Sequence, residues 1–209
     1  MATSDKPLLI VAAVRQELGP FLRRRPTNVE ILFTGMGQAA ALEKVKKKLA
    51  RGGWDGVVST GFAGGIRPGL ALGDLLMASE VVDASSGKRW RPEGHFPRSN
   101  GNPFRMGRFV TVDTLCPTPE AKAVLGFRFG ADCVEMETAA VVQAAQEAGV
   151  PWRALRVILD PLEKTVPVGS GWDALKFLAR PSQWGEFNRF LQEIQTASDI
   201  LAQGLGSFT

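Results

Sequence analysis

The sequence predicts an α/β layered domain, on three observations. Continuous apolar runs of strand length recur along the chain, stretches of helical period lie between them, and glycines and acids gather where the runs end. An unbroken apolar run, without alternation, suits a strand covered on both faces.

In chain order, LLIVAAV (8–14) and VEILF (29–33) are the first two strands. A helix follows over 37–51, its Leu42, Val45 and Leu49 falling on one face among lysines. The runs GVVST (56–60), DLLMASEVV (74–82) and RFVTVD (108–113) are three more strands. An Ala-rich helix over 137–148 stops at Gly149, with Pro151 beyond it, a common end signal. ALRVIL (154–159) is the sixth strand, and the tail over 184–203 is a helix. Its Phe187, Phe190, Leu191, Ile194, Ala197 and Leu201 form a stripe that packs onto the body. Residues 83–107, rich in Gly, Pro, Ser, Asn and Arg, have little periodicity and read either as part of a pocket or as a surface loop.

Composition narrows the class. The 209 residues suit a single domain over 1–209, and 44% hydrophobic residues argue against disorder. No apolar stretch reaches the roughly 18 residues of a membrane span, and the N-terminus lacks the layout of a signal peptide. Two cysteines, Cys116 and Cys133, are too few for a disulfide framework and point to reduced thiols in the cytoplasm. The net charge of +4 is concentrated in Arg23, Arg24 and Arg25 and in Lys44, Lys46, Lys47, Lys48 and Arg51. These read as a solvated face or as a weak contact with an anionic membrane surface. With no zinc-ligand spacing and no aromatic-basic interleaving, neither a metal site nor a nucleic-acid partner is expected.

Ligands in open α/β sheets gather beyond the carboxyl ends of the strands. Glu17 follows the first run, Thr34-Gly35-Met36-Gly37 the second, Thr60-Gly61-Phe62-Ala63-Gly64-Gly65 the third, and Asp160 the sixth. The glycine segment, Gly61 to Gly64 above all, reads as a turn whose backbone N–H groups approach an anion or a sugar, or as a plain tight turn. Its G-x-x-G-G spacing is not the dinucleotide fingerprint, which argues against a nicotinamide enzyme. Asp160 follows an apolar run, where partial desolvation raises a carboxyl pKa and suits a general acid; a turn residue is the plainer reading. Glu135 and Glu137 alternate around Met136, so an extended backbone turns both to one side. Such a pair of acceptors suits a diol, and acids at a helix N-terminus are the alternative.

Taken together, LLIVAAVRQEL, TGFAGGIRPGLALGDLLMASEVVD and CVEMETAAVVQAAQEAGVPWRALRVILD resemble, in order and spacing, the purine nucleoside phosphorylase superfamily. Within it they are most similar to the 5′-methylthioadenosine/S-adenosylhomocysteine nucleosidases. The tail, DPLEKTVPVG and FLARPSQWGEFNRFLQEIQTASDILAQGL, resembles the hopanoid-associated phosphorylases, which are linked to removing adenine from an adenosyl-hopane. The resemblance implies a three-layer α/β sandwich around a central mixed twisted sheet. The implied activity is cleavage of the N-glycosidic bond of an adenine nucleoside carrying a 5′ substituent, without a cofactor.

Roles follow residue by residue. Asp160 is implied as the acid that protonates purine N7, and Glu17 as the carboxylate that activates water. Arg156 is implied near the attacking group or its carboxylate. Glu137, with Glu135 and Met136, is implied at the ribose, and Leu115 and Cys116 at the base. A homo-oligomer is implied as well, with His95 or Phe104 as residues that could complete a neighbour's pocket.

Two positions depart from the family. Phe62 stands where many members have a serine that helps hold water or phosphate, and Leu159 replaces a small polar residue before the acid. Both argue against bound phosphate, while Arg67, Arg89 and Arg91 offer phosphate a partner. Phosphate therefore stays open as a co-substrate, and a purine-nucleoside binder without turnover stays open as the alternative function.

Overall fold

The computed structural model describes residues 6–24, 26–93, 104–165 and 184–208. Strand β1 (Leu8–Ala12) leads through a 3-10 turn (Arg15–Leu18) into the short helix α1 (Gly19–Arg23). Next come β2 (Val29–Phe33), α2 (Gln38–Leu49), β3 (Gly56–Gly65), β4 (Leu75–Asp83), β5 (Arg89–Trp90) and β6 (Arg105–Thr111). Helix α3 (Pro119–Phe129), β7 (Cys133–Glu135), α4 (Thr138–Glu147), β8 (Trp152–Asp160) and α5 (Trp184–Leu205) complete the order.

All eight strands join one mixed sheet, in the order β2-β1-β3-β7-β6-β4-β5, with β8 bonded to β3 and β4. β1 runs parallel to both β2 and β3, and β8 runs parallel to β3 but antiparallel to β4. Because β7 bonds both β3 and β6, the strands β3, β8, β4, β6 and β7 close into a ring.

The continuous apolar runs have the cause expected of them. Along β1, Leu9 and Val11 pack with Ala41, Val45 and Leu49 of α2 and the alanines of α4. Ile10 and Ala12 point the other way, onto Phe21 of α1 and Ile194, Ala197, Leu201 and Leu205 of α5. A sheet between two helical layers buries every side chain of such a strand. A third cluster packs Phe129 of α3 against Val82, Val110 and Val134.

The structure corrects several expectations. The glycine segment after GVVST is no turn: β3 runs straight through it to Gly65, with a bulge between Ala63 and Gly64. Helix α3 stands where no element was read. Its signals are nevertheless ordinary: Thr118 caps it by accepting from the Ala121 N–H at 3.3 Å, Pro119 starts it, and Gly130 ends it left-handed. Leu191 lies off the buried stripe of α5, 44% exposed, while Phe187 falls where no side chain is described. Within 83–107, read as pocket or loop, the described residues include the end of β4, strand β5 and the start of β6, while 94–103, His95 among them, lie outside the described residues. Phe104 stacks at 6.3 Å on Phe208 of its own chain, just past α5. Among the described residues no helix is long and apolar enough to cross a membrane.

Candidate active site

The site is built along the paired strands β3 and β8, on the side where α4 starts. Glu17 is the third residue of the 3-10 turn, and there it reaches back to the N-terminal end of that turn. Its Oε2 accepts from the Val14 N–H at 3.0 Å, and its Oε1 accepts from the Phe62 N–H of β3 at 3.1 Å. The carboxylate passes directly over Gly61. A Cβ there would collide with Oε1 and stand 2.9 Å from Cδ, and Gly61 also has a φ of +146°. Only glycine admits both the approach and the backbone angle. Burial pushes the Glu17 carboxyl above its ordinary pKa, against the Val14 amide, the Arg156 charge and the Phe62 amide.

Three residues on, Gly64 makes the same allowance for Asp160. A Cβ on Gly64 would lie 2.9 Å from Asp160 Oδ2 and 3.2 Å from Val134 Cγ1. The glycines of the sequence motif are therefore recesses in a strand, one for each carboxylate. Asp160 ends β8, its side chain 16% exposed, and burial raises its pKa. Lys122, wholly buried on α3, opposes that rise from 2.6 Å away. The sequence reading missed Lys122; a lone lysine in an unread helix carries no signal for it.

Glu135 and Glu137 do not form the side-by-side pair expected of an extended backbone. The strand ends at Glu135, and Glu137 already caps α4, so the two carboxyl groups diverge. Glu135 is buried and engaged on both oxygens. Thr111 donates to Oε1; the Glu137 and Thr138 N–H groups, the Thr138 hydroxyl and Arg156 all donate to Oε2. Burial works to raise its pKa, but Arg156 and the hydroxyls of Thr111 and Thr138 outweigh that and hold it below the usual range. Both Glu135 oxygens are thus engaged by the protein, Oε1 by Thr111 and Oε2 by the remaining donors. Glu137 accepts from the Gly37 N–H at 2.7 Å, beyond β2, and burial with the Glu135 charge pushes its pKa up to about 7.

Arg156 joins these groups. Its side chain is 2% exposed and donates to Glu135 at 2.8 Å, Thr138 at 2.8 Å and Ser59 at 3.3 Å. Its charge is felt by Glu17 and Glu137 as well, so three carboxyl groups share one guanidinium. Met136 is half-buried beside Val134, and Leu115 is 51% exposed. Cys116 lies within the fields of Lys122 and Asp160, and burial raises its thiol pKa.

Phe62 packs its side chain against the apolar cluster on the α1 and α5 side that also holds Leu159. The two departures from the family therefore fall in one cluster. The arginines offered to phosphate are taken up elsewhere: Arg67 bonds Asp132 at 2.8 Å, and Arg89 and Arg91 bond Glu80 at 2.8 and 3.0 Å. Three side chains of the α2 basic run are likewise engaged, Lys44 on the Thr34 carbonyl, Lys46 on Glu147 and Lys48 on Glu30.

A family model described as the phosphorylase superfamily matches residues 26–100 and 93–182. A 5′-methylthioadenosine/S-adenosylhomocysteine nucleosidase of Shewanella putrefaciens is 27% identical over 166 residues, 68% of this chain and 71% of its own. One of Mycobacterium bovis is 26% identical, with 90% of this chain and 92% of its own covered. The solved nucleosidase of S. pneumoniae, bound to a transition-state inhibitor, superposes with a TM-score of 0.74 at 21% identity, over 97% of each chain. At that identity the likeness is one of fold.

Proposed function

This chain belongs to the phosphorylase superfamily, and on that premise we propose that it hydrolyses the N-glycosidic bond of an adenine nucleoside, with Glu17 and Asp160 at the two ends of the reaction. The observation that carries the proposal is the pair of glycine recesses three residues apart on β3, which seat the Glu17 and Asp160 carboxyl groups, both with pKa raised by burial.

In this reading Glu17 takes a proton from water as it attacks C1′, and a raised pKa makes it a better base. Asp160 gives its proton to purine N7, so the base leaves neutral. Glu137 accepts from the ribose hydroxyls, Met136 packs on the sugar, and Leu115 and Cys116 line the base. Arg156 and Glu135 serve as the charged support beneath Glu17 and Glu137. Water rather than phosphate is supported by the engaged arginines and by the apolar surroundings of Phe62. The proposed setting is the cytoplasm, where Cys116 and Cys133, both free, stay reduced. A homo-oligomer is the proposed assembly.

The test is release of free adenine from adenosine, 5′-methylthioadenosine, S-adenosylhomocysteine and an adenosyl-hopane, each in phosphate-free buffer. Release from at least one supports hydrolysis, and the preferred one names the 5′ substituent. Saturable binding with no base released from any would leave a nucleoside binder and overturn the proposal.

A further inference from the structure

A carboxylic acid that protonates a leaving group must carry its proton on one oxygen, and the surroundings of Asp160 distinguish its two. Lys122 projects from the first turn of α3, wholly buried, toward the end of β8. Its Nζ donates to Asp160 Oδ2 at 2.6 Å, to the Pro161 carbonyl at 2.9 Å and to the Lys164 carbonyl at 3.0 Å, with the Asp160 carbonyl at 3.3 Å. An ammonium has three protons and accepts none. The three shortest of these contacts use all three. A proton on Oδ2 would face an N–H head on, so the proton of the neutral acid belongs on Oδ1. Gly64 leaves room for Oδ2 in this place, since a Cβ there would come within 2.9 Å.

We propose that Lys122 is the positioning residue of the general acid: its ammonium holds Oδ2 of Asp160 so that the transferable proton stands on Oδ1, and it remains as the counter-ion of the carboxylate once that proton has gone. The inference rests on the reading of Asp160 as the acid. In the step, the C1′–N9 pair of electrons goes to the purine, the Oδ1 proton goes to N7, and Asp160 is left as an anion beside Lys122. The ammonium keeps all its protons throughout. By gripping the carbonyls of Pro161 and Lys164, the same side chain also fixes the turn that follows the acid. Other ionisable groups around this pair are Cys116, before α3, and Lys164, which is itself paired with Glu193 of α5.

The experiment is the pH dependence of kcat for adenine release from 5′-methylthioadenosine, or from whichever nucleoside the wild type cleaves best. It compares wild type, Lys122→Gln, Asp160→Asn and the double variant. Glutamine keeps donors for the carbonyls but removes the charge. The expected result is a 10- to 100-fold lower kcat, the usual scale of a displaced catalytic group, with KM within about threefold. The alkaline limb, where Asp160 loses its proton, should move up by about one pH unit or more, because an opposite charge has been taken away. In the Asp160→Asn background the same substitution should change kcat by less than about twofold. An unmoved limb, or an equal loss in both backgrounds, would overturn the inference while leaving Asp160 as the acid. Full activity in Asp160→Asn would instead sink the reading of Asp160, and the clamp with it. Should Lys122→Gln not fold, ¹⁵N NMR of the lysine ammonium groups decides. A Lys122 signal that follows the Asp160 titration and moves in Asp160→Asn is expected; one indifferent to that substitution contradicts the clamp.

Discussion

The Phe62 N–H donates to Glu17 Oε1 at 3.1 Å, while the Phe62 side chain packs in the apolar cluster of Phe21, Leu159 and the inner face of α5. A backbone donor therefore holds the carboxylate whatever side chain Phe62 carries. This explains how an apolar residue is accommodated where many family members have a serine. What the strand cannot vary is Gly61, over which Glu17 passes.

Gly61→Ala should thus act on Glu17. The new Cβ would meet the carboxylate, and a φ of +146° strains any residue with a side chain. The expected outcome is a folded protein with kcat down by about 10²-fold or more, the scale of a misplaced group. Near wild-type turnover would show that Glu17 need not sit where it does.

Asp160→Asn should lose about 10²–10⁴-fold in kcat, the worth of a positioned acid. The melting temperature should change little, because the amide still accepts from Lys122. Steady-state rates beside a thermal melt check both halves of this expectation.

Glu137 gives a pH-dependent signature. Its pKa is raised from 4.5 to about 7, so the neutral form favours the fold. The stability it contributes is complete below its unfolded pKa and is lost as pH rises through about 7. At about 1.4 kcal/mol per unit the loss is at most about 3.5 kcal/mol, less for its residual exposure to solvent. Glu137→Gln removes the titration, so its melting temperature should gain on wild type by several degrees between pH 5 and pH 8. The same variant should raise KM about 10-fold or more near pH 8, where a charged acceptor for the ribose hydroxyls is lost. A gain that is the same at both pH values would place the titrating group elsewhere.

The Arg156–Glu135 pair predicts a different failure. Both side chains are almost wholly buried, at 2% and 1% exposure, and removing either one strands the other's charge. Arg156→Met should cost about 3–5 kcal/mol of stability, read as a lowered midpoint in urea. A loss of activity with an unchanged midpoint would argue that Arg156 serves only the reaction.

How much of this was legible beforehand follows from where each signal resides. The sheet and its two helical layers were readable because β1 and β3 are apolar at successive positions, which a two-sided core requires. Glu17, Glu137, Arg156 and Asp160 stood out because strand ends and motif spacing mark them; Glu17 and Glu137 share the charge of Arg156, while Asp160 is paired with Lys122. The role of the glycines was misread because sequence alone does not distinguish a turn from a strand that must admit a carboxylate. Glu135 was misread because period-2 alternation stops where β7 ends, one residue before Met136. Lys122 left no trace, since its partners lie 38 to 42 residues away and two of the three shortest are backbone carbonyls.

The central claim is that water, activated by Glu17, replaces the base that Asp160 protonates. Its most direct test is cleavage of 5′-methylthioadenosine, or whichever nucleoside proves to be cleaved, in ¹⁸O-water with phosphate in excess, with the sugar product read by mass spectrometry. The account predicts free adenine and a free sugar carrying one ¹⁸O at C1, with that product abolished in Glu17→Gln. A sugar 1-phosphate, or ¹⁸O-labelled sugar formed equally well by Glu17→Gln, would contradict it.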